Sequence, residues 1–215
     1  RFRANQSRSG SLQDDAITAL YEDRENRIWV GTFLGGLARI DFPSGSTSGP
    51  PKFVHYMPRP GDPTSLSSTY VTSIYEDHKQ RLWVVTLGGL NLFDTKTGTF
   101  RQYSANPETG FSTIALHSIV EDRYGTFWLG SQLGVNRFNP GSGKAKAYLP
   151  GNAAGSLSHS LVYSIYVDSK GTLWVGTNGG GLNKAEVPPW EGPDPQFVHY
   201  RVEEGLPDNV VKGII

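Results

Sequence analysis

The feature that most restricts how this chain can fold is an aspartate followed six residues later by a tryptophan, repeated four times: Asp23 and Trp29, Asp77 and Trp83, Asp122 and Trp128, Asp168 and Trp174. Each pair lies in a longer recurring phrase: "YEDRENRIWVGTFLGGLARID", "YEDHKQRLWVVTLGGLNLFD", "VEDRYGTFWLGSQLGVNRFN" and "YVDSKGTLWVGTNGGGLNKA". The tryptophans stand 54, 45 and 46 residues apart. A fixed period in the forties made of short strand-like runs means that one supersecondary unit is built four times and stacked on its neighbours.

The second copy shows what that unit is. "TYVTSIYED" (69–77) is rich in β-branched and aromatic residues, "LWVVT" (82–86) is a continuous apolar run, and "LNLFD" (90–94) and "TFRQY" (99–103) alternate. Polar or glycine turns, "HKQR", "LGG" and "TKTG", separate them. Four short strands joined by hairpin-length turns form an antiparallel propeller blade. The expected fold is therefore all-β, with blades at about 14–57, 69–103, 115–149 and 160–200. Fourth strands read as "FVHY" (53–56), "FRQY" (100–103), "KAYL" (146–149) and "FVHY" (197–200). An extra one, "RFRAN" (1–5), and a fifth first strand, "DNVVKGII" (208–215), are assigned to flanking blades. On this reading 1–215 is one partial propeller cut from a larger ring.

The conspicuous residues have local explanations. Glycines between second and third strands suit hairpin turns that need positive φ. A phosphate cradle would need a helix after them, whereas the residues after each glycine turn have strand character. The tryptophan fills the space between stacked blades, its indole N–H needing one partner, and the aspartate caps the turn after it.

Composition removes several function classes. Twenty Lys and Arg balance twenty Asp and Glu with no basic run, so there is no field for nucleic acid or an anionic membrane. Cysteine is absent, which excludes thiolate nucleophiles, disulfides and cysteine metal sites. No apolar run approaches a bilayer span, so no direct membrane insertion is expected. Of five histidines, His55 and His199 share one slot of a fourth strand, His78 is in a turn, and His117 and His159 have no ligand-spaced partner. No cofactor or metal is expected.

The phrases "SLSSTYVTSIYED", "LWVVTLGGLNLFD" and "GTFRQY", repeated along the whole chain, resemble the two-component regulator propeller repeat. The resemblance implies a periplasmic, ligand-sensing domain of a bacterial hybrid two-component system, without catalysis of its own. It further implies a carbohydrate or other small-molecule signal, a typically seven-bladed ring, and a histidine kinase module elsewhere in the parent protein. The alternatives are a structural or protein-binding scaffold, to which Trp190 in "PPWEGPDP" lends some support, and a propeller lyase resembling the streptogramin lyases.

Variable loops on a rigid scaffold are the default place for binding residues. The connections from fourth to first strands are long, polar and different in each copy. Arg59, Asp62, Tyr70, His117, His159 and Asn178 are the candidate ligand-binding residues. His117 occupies a first-strand position held by Thr18, Thr72 and Tyr163 in the other copies. The expected partners are a small molecule or oligosaccharide, the remaining blades of the parent, and a second copy through uncovered terminal blades.

Overall fold

The computed structural model describes residues 3–4, 10–42 and 51–214. They form sixteen strands in four antiparallel sheets, each with its strands in sequence order. The first sheet holds β1 (Ile17–Glu22), β2 (Ile28–Thr32), β3 (Leu37–Asp41) and β4 (Lys52–Tyr56). The second holds β5 (Val71–Glu76), β6 (Leu82–Thr86), β7 (Gly89–Asp94) and β8 (Thr99–Tyr103). In the third are β9 (Leu116–Glu121), β10 (Phe127–Ser131), β11 (Gly134–Asn139) and β12 (Lys144–Tyr148). The fourth consists of β13 (Val162–Val167), β14 (Thr172–Thr177), β15 (Leu182–Glu186) and β16 (Val198–Tyr200). The chain divides into two compact units, 1–103 and 104–215, with two sheets each.

Within the first unit, Trp29, Leu37, Tyr21 and Tyr56 of the first sheet meet Val71, Ile74, Val84, Phe93 and Phe100 of the second and Leu66 of the loop that enters it. Phe93 stands edge-on to Trp29 at 5.2 Å and to Tyr56 at 4.9 Å. Burying one such ring stabilises by about 1.5–3 kcal/mol. The second unit repeats the arrangement, with Trp128, Val135 and Tyr148 against Leu157, Val162, Val175, Val187 and Phe197.

The six-residue spacing of Asp and Trp now has a cause. In each sheet the Asp Oδ2 accepts the indole N–H of its own repeat, at 2.7, 2.9, 2.9 and 3.0 Å from first to fourth. The Oδ1 of Asp77 accepts the backbone N–H groups of Lys79 and Arg81, closing the turn between first and second strands, and the other three aspartates do the same. A buried indole N–H left unpaired would cost about 1–3 kcal/mol. One carboxylate therefore sets both the turn and the tryptophan.

The paired glycines serve two needs, and only one of them is the expected one. Gly89 has φ 127°, as a hairpin turn requires, whereas Gly88 lies outside the left-handed region. Its need is space, because a methyl group there would sit 2.5 Å from the Ser67 carbonyl oxygen. The loop entering the sheet passes against it.

Two strand assignments need correction. The fourth strand of the third sheet spans Lys144–Tyr148 rather than 146–149, because the N–H of Ala145 is held by Thr109 O and pairing with β11 begins at Lys144. The strand expected at 208–215 is a single bridge between Val210 and Asn178. Val211 nevertheless seats a methyl group against Gly176, as Val71 does against Gly31 and Val162 against Gly130. It thus occupies the place of a first-strand valine. Of the extra strand read at 1–5, residues 3 and 4 carry no strand, and 1, 2 and 5 lie outside the described residues, as does Ile215.

Candidate functional site

The loops from fourth to first strands were the expected binding elements, and the structure shows how each is held. Its incoming segment first runs along the fourth strand of the sheet it is about to enter: Gly10, Thr64, Thr109 and Gly155 accept, through their carbonyls, the N–H groups of Phe53, Phe100, Ala145 and Phe197. In three sheets a fourth-strand side chain then donates to a serine carbonyl: His55 Nε2 to Ser11 at 2.8 Å, Gln102 Nε2 to Ser65 at 2.7 Å, and His199 Nε2 to Ser156 at 2.7 Å. The next residue, Leu12, Leu66, Phe111 or Leu157, is buried.

A buried asparagine on the third strand fixes the following step. Asn91, Asn136 and Asn183 accept the N–H of Ser67, Ser112 and Ser158 at 2.9–3.0 Å. The sequence reading missed these asparagines. Their signal was present, as an Asn in the same slot of "LNLFD", "VNRFN" and "LNKAE" lying 24 or 25 residues after its serine.

Just before the first strand, a side chain caps the N–H two residues ahead. Asp14, Ser68, Thr113, His159 and Asp208 do this for Ala16, Tyr70, Ala115, Leu161 and Val210 at 2.9–3.2 Å. His159 fills the slot with Nδ1 as acceptor, which places its ring proton on Nε2.

The six candidates fall into separate places on these loops and strands. Arg59 and Asp62 are together, lining a cleft of about 710 Å³ with Pro58, Pro63, Ser67 and Gln102. They are paired to each other, Arg59 Nε to Asp62 Oδ2 at 2.8 Å. Hydrogen bonds from the Thr64 hydroxyl and from Arg59 bring the exposed Asp62 carboxyl down to about 2. His159 and Asn178 are also neighbours, both bonded to the backbone of Leu161.

His117 stands apart from them. The register of β9 against β10 skips it, as the register skips Thr18, Thr72 and Tyr163 in the other sheets. The variable first-strand position is thus a β-bulge in every sheet, the kind of irregularity that re-aims a side chain. Burial lowers the pKa of His117 below its ordinary value, and its buried Nε2 has no hydrogen-bond partner among the described residues.

Tyr70 is the candidate with an unforeseen neighbour. Its ring lies 4.5 Å from that of Phe33 at an interplanar angle of 69°, and Phe33 is 43 % exposed. The adjacent Leu34 N–H donates to Asp14 Oδ2 at 2.6 Å. The backbone bond to Ala16 and further amide donors outweigh desolvation and keep the Asp14 carboxyl below its usual range.

Trp190 has a packing role. The Arg137 guanidinium lies 4.9 Å from the Trp128 ring and 5.6 Å from that of Trp190, and it donates to the carbonyls of Pro188 and Pro189. Lys146 Nζ donates to the Trp190 carbonyl at 2.8 Å. Among the described residues no His, Cys, Asp and Glu side chains gather in a group able to hold a metal ion.

Comparison with known proteins agrees with the repeat reading. The two-component regulator propeller family matches residues 11–33, 65–88 and 156–179, which lie in the first, second and fourth copies. These segments are similar to two-component regulator propeller repeats, and the fold is that of propeller blades. No curated protein matches the chain. Among solved structures, the chain is similar to the extracellular domain of a hybrid two component system from B. thetaiotaomicron, with 20 % identity, a TM-score of 0.73, and coverage of 92 % of this chain and 26 % of that one. A second such domain from B. thetaiotaomicron shows 28 % identity and a TM-score of 0.62, over 79 % of this chain and 23 % of that one. Virginiamycin B lyase from Staphylococcus aureus is similar at 16 % identity and a TM-score of 0.61, over 90 % of this chain and 58 % of that one. The first and third likenesses concern the fold alone. The chain spans about a quarter of the length of the two extracellular domains.

Proposed function

We propose that this chain is part of the extracytoplasmic, periplasmic sensor region of a hybrid two-component protein with a histidine kinase output, and that its signal is a carbohydrate or a similar small polar molecule. The observation that carries the reading is the family match falling on the pinned segments themselves. Residues 65–88 and 156–179 begin at the serines held by Gln102 and His199 and end in the turn between second and third strands. The repeat thus defines a rigid mount, and the side chains it presents at the loops, together with the loop parts before it, differ from copy to copy, an arrangement suited to ligand recognition. The cleft at Arg59 and Asp62, the bulge at His117, the turn at His159 and Asn178, and Tyr70 are the proposed contact points. The paired state of Arg59 and Asp62 favours a neutral ligand, whose hydroxyls can bond to both without separating the charges.

The test is a thermal-shift screen of the chain against purified oligosaccharides, followed by calorimetry on any that respond. A ligand at a hundredfold its Kd adds about 2.7 kcal/mol, enough to raise the melting temperature by several degrees. A panel covering the common gluco-, xylo-, manno- and galacto-oligosaccharides that leaves the melting temperature unmoved would count against the carbohydrate signal. Ring opening of a streptogramin B antibiotic on incubation with the chain would replace the sensor reading with a lyase.

A further inference from the structure

We infer that Phe33 and Tyr70, with Asp14 beside them, form a stacking subsite for one sugar ring; this rests on the proposed sensor function and specifies where on the first unit the ring sits. Each of the four repeats has a turn after its second strand, and the residue that opens it is Phe33, Leu87, Gln132 or Asn178. Each also has a residue immediately before its first strand, namely Ala16, Tyr70, Ala115 or Leu161. An aromatic side chain occurs at each slot once, and the structure puts those two rings together at 4.5 Å. Departures from a repeat's own pattern are expected where function outweighs packing.

The backbone fixes both rings. The Phe33 N–H donates to Ala16 O, Gly36 N–H to Thr69 O, and Leu87 N–H to Tyr70 O. Phe33 nevertheless remains 43 % exposed and its neighbour Leu34 64 % exposed. The rigid backbone reduces the ordering cost of binding. The edge-to-face pairing leaves ring surface open, and a pyranose presents a patch of C–H groups that covers such a surface while its hydroxyls stay at the ring edge. Asp14 is placed to meet them. Its Oδ1 accepts the Ala16 N–H and its Oδ2 the Leu34 N–H, with the Asp15 and Phe33 amides also favouring its charge, and the half-buried carboxylate remains within reach of a hydroxyl from solvent. A flat, neutral, hydroxyl-rimmed ring satisfies both features.

The experiment measures affinity for the responsive oligosaccharide in wild type, Phe33→Leu, Phe33→Ala, Tyr70→Ala, Asp14→Asn and Leu133→Ala. Phe33→Leu installs the residue type found at the same turn of the second sheet, and Leu133→Ala removes an exposed apolar side chain from the corresponding turn of the third. The alanine changes at Phe33 and Tyr70 are expected to weaken binding at least tenfold, Phe33→Leu nearly as much, and Asp14→Asn by a few-fold. Leu133→Ala should leave it unchanged. Equal affinity in wild type and Phe33→Leu would overturn the stacking subsite while leaving the sensor reading in place. Failure of every oligosaccharide to bind wild type would overturn both.

Discussion

The second and third sheets solve one electrostatic problem in two ways. In both, a buried aspartate receives an indole N–H and two backbone N–H groups, and one oxygen needs a further donor. At Asp77 that donor is Arg81, four residues along the same turn, with a side chain 30 % exposed. At Asp122 the fourth residue is Thr126, and the cation comes from the third strand instead. Arg137 is 1 % exposed and bonds Asp122 Oδ2 at 3.0 Å and Thr126 Oγ1 at 2.9 Å. The local, solvent-screened Arg81 serves the carboxylate and the ring of its own repeat, lying 5.3 Å from Trp83. A buried cation needs partners for its remaining donors, and Arg137 places two of them on the Pro188 and Pro189 carbonyls, which fastens the 188–190 segment to the third sheet.

The contrast is open to measurement, and the largest effect is expected at Arg137. Replacing Arg137 with Leu leaves Asp122 buried without its cation and two proline carbonyls without donors, and should cost about 3–5 kcal/mol in chemical denaturation. A cost below about 1 kcal/mol would erase the distinction between the sheets. Asn91→Leu, which strands the Ser67 N–H and removes the donor to the Val84 carbonyl, should cost about 1–3 kcal/mol by the same measurement. Arg81→Ala should cost about 1 kcal/mol or less and lose much of that in high salt; salt-independent destabilisation equal to that of Arg137→Leu would show the two ion pairs to be equivalent.

The smallest effect is a pH dependence. Because burial holds the pKa of His117 below its ordinary value of 6.5, the folded state disfavours the proton that the unfolded chain accepts. The resulting stability is present above about pH 6.5 and lost as pH falls through the lower folded value. Denaturation midpoints measured from pH 7.5 to 5 should fall less steeply in His117→Thr, which carries the residue of Thr18 and Thr72. Parallel profiles would assign the acid sensitivity to another group.

The repeat and the strand order were legible because they rest on periodicity, which a linear reading registers. Legibility ended where one repeat position does different work in different copies. His159 read as a ligand residue because it lies on a connection that differs between the copies, yet it stands where Ser68, Thr113 and Asp14 stand and does their work as a turn acceptor. The asparagines of the third strands read as ordinary polar positions, since the serines they hold lie more than twenty residues upstream. Phe33 passed for a turn residue beside a glycine pair, and only the pairing of its sheet with the second brought Tyr70 to it. The bulge at Thr18, Thr72, His117 and Tyr163 was located as a variable position from alignment of the copies, while its geometry depends on the register of strands one and two.

The tethers that mount the entering loops, from serine to asparagine and from serine to histidine or glutamine, each join a loop to the sheet that it enters, so loop and sheet together form one repeating unit. A stretch of coding sequence that duplicates one repeat therefore copies a finished loop holder along with the sheet. Successive copies can diverge at their loop tips without renegotiating how those loops are attached, so new recognition surfaces arise by copying and local drift rather than by redesign of the scaffold.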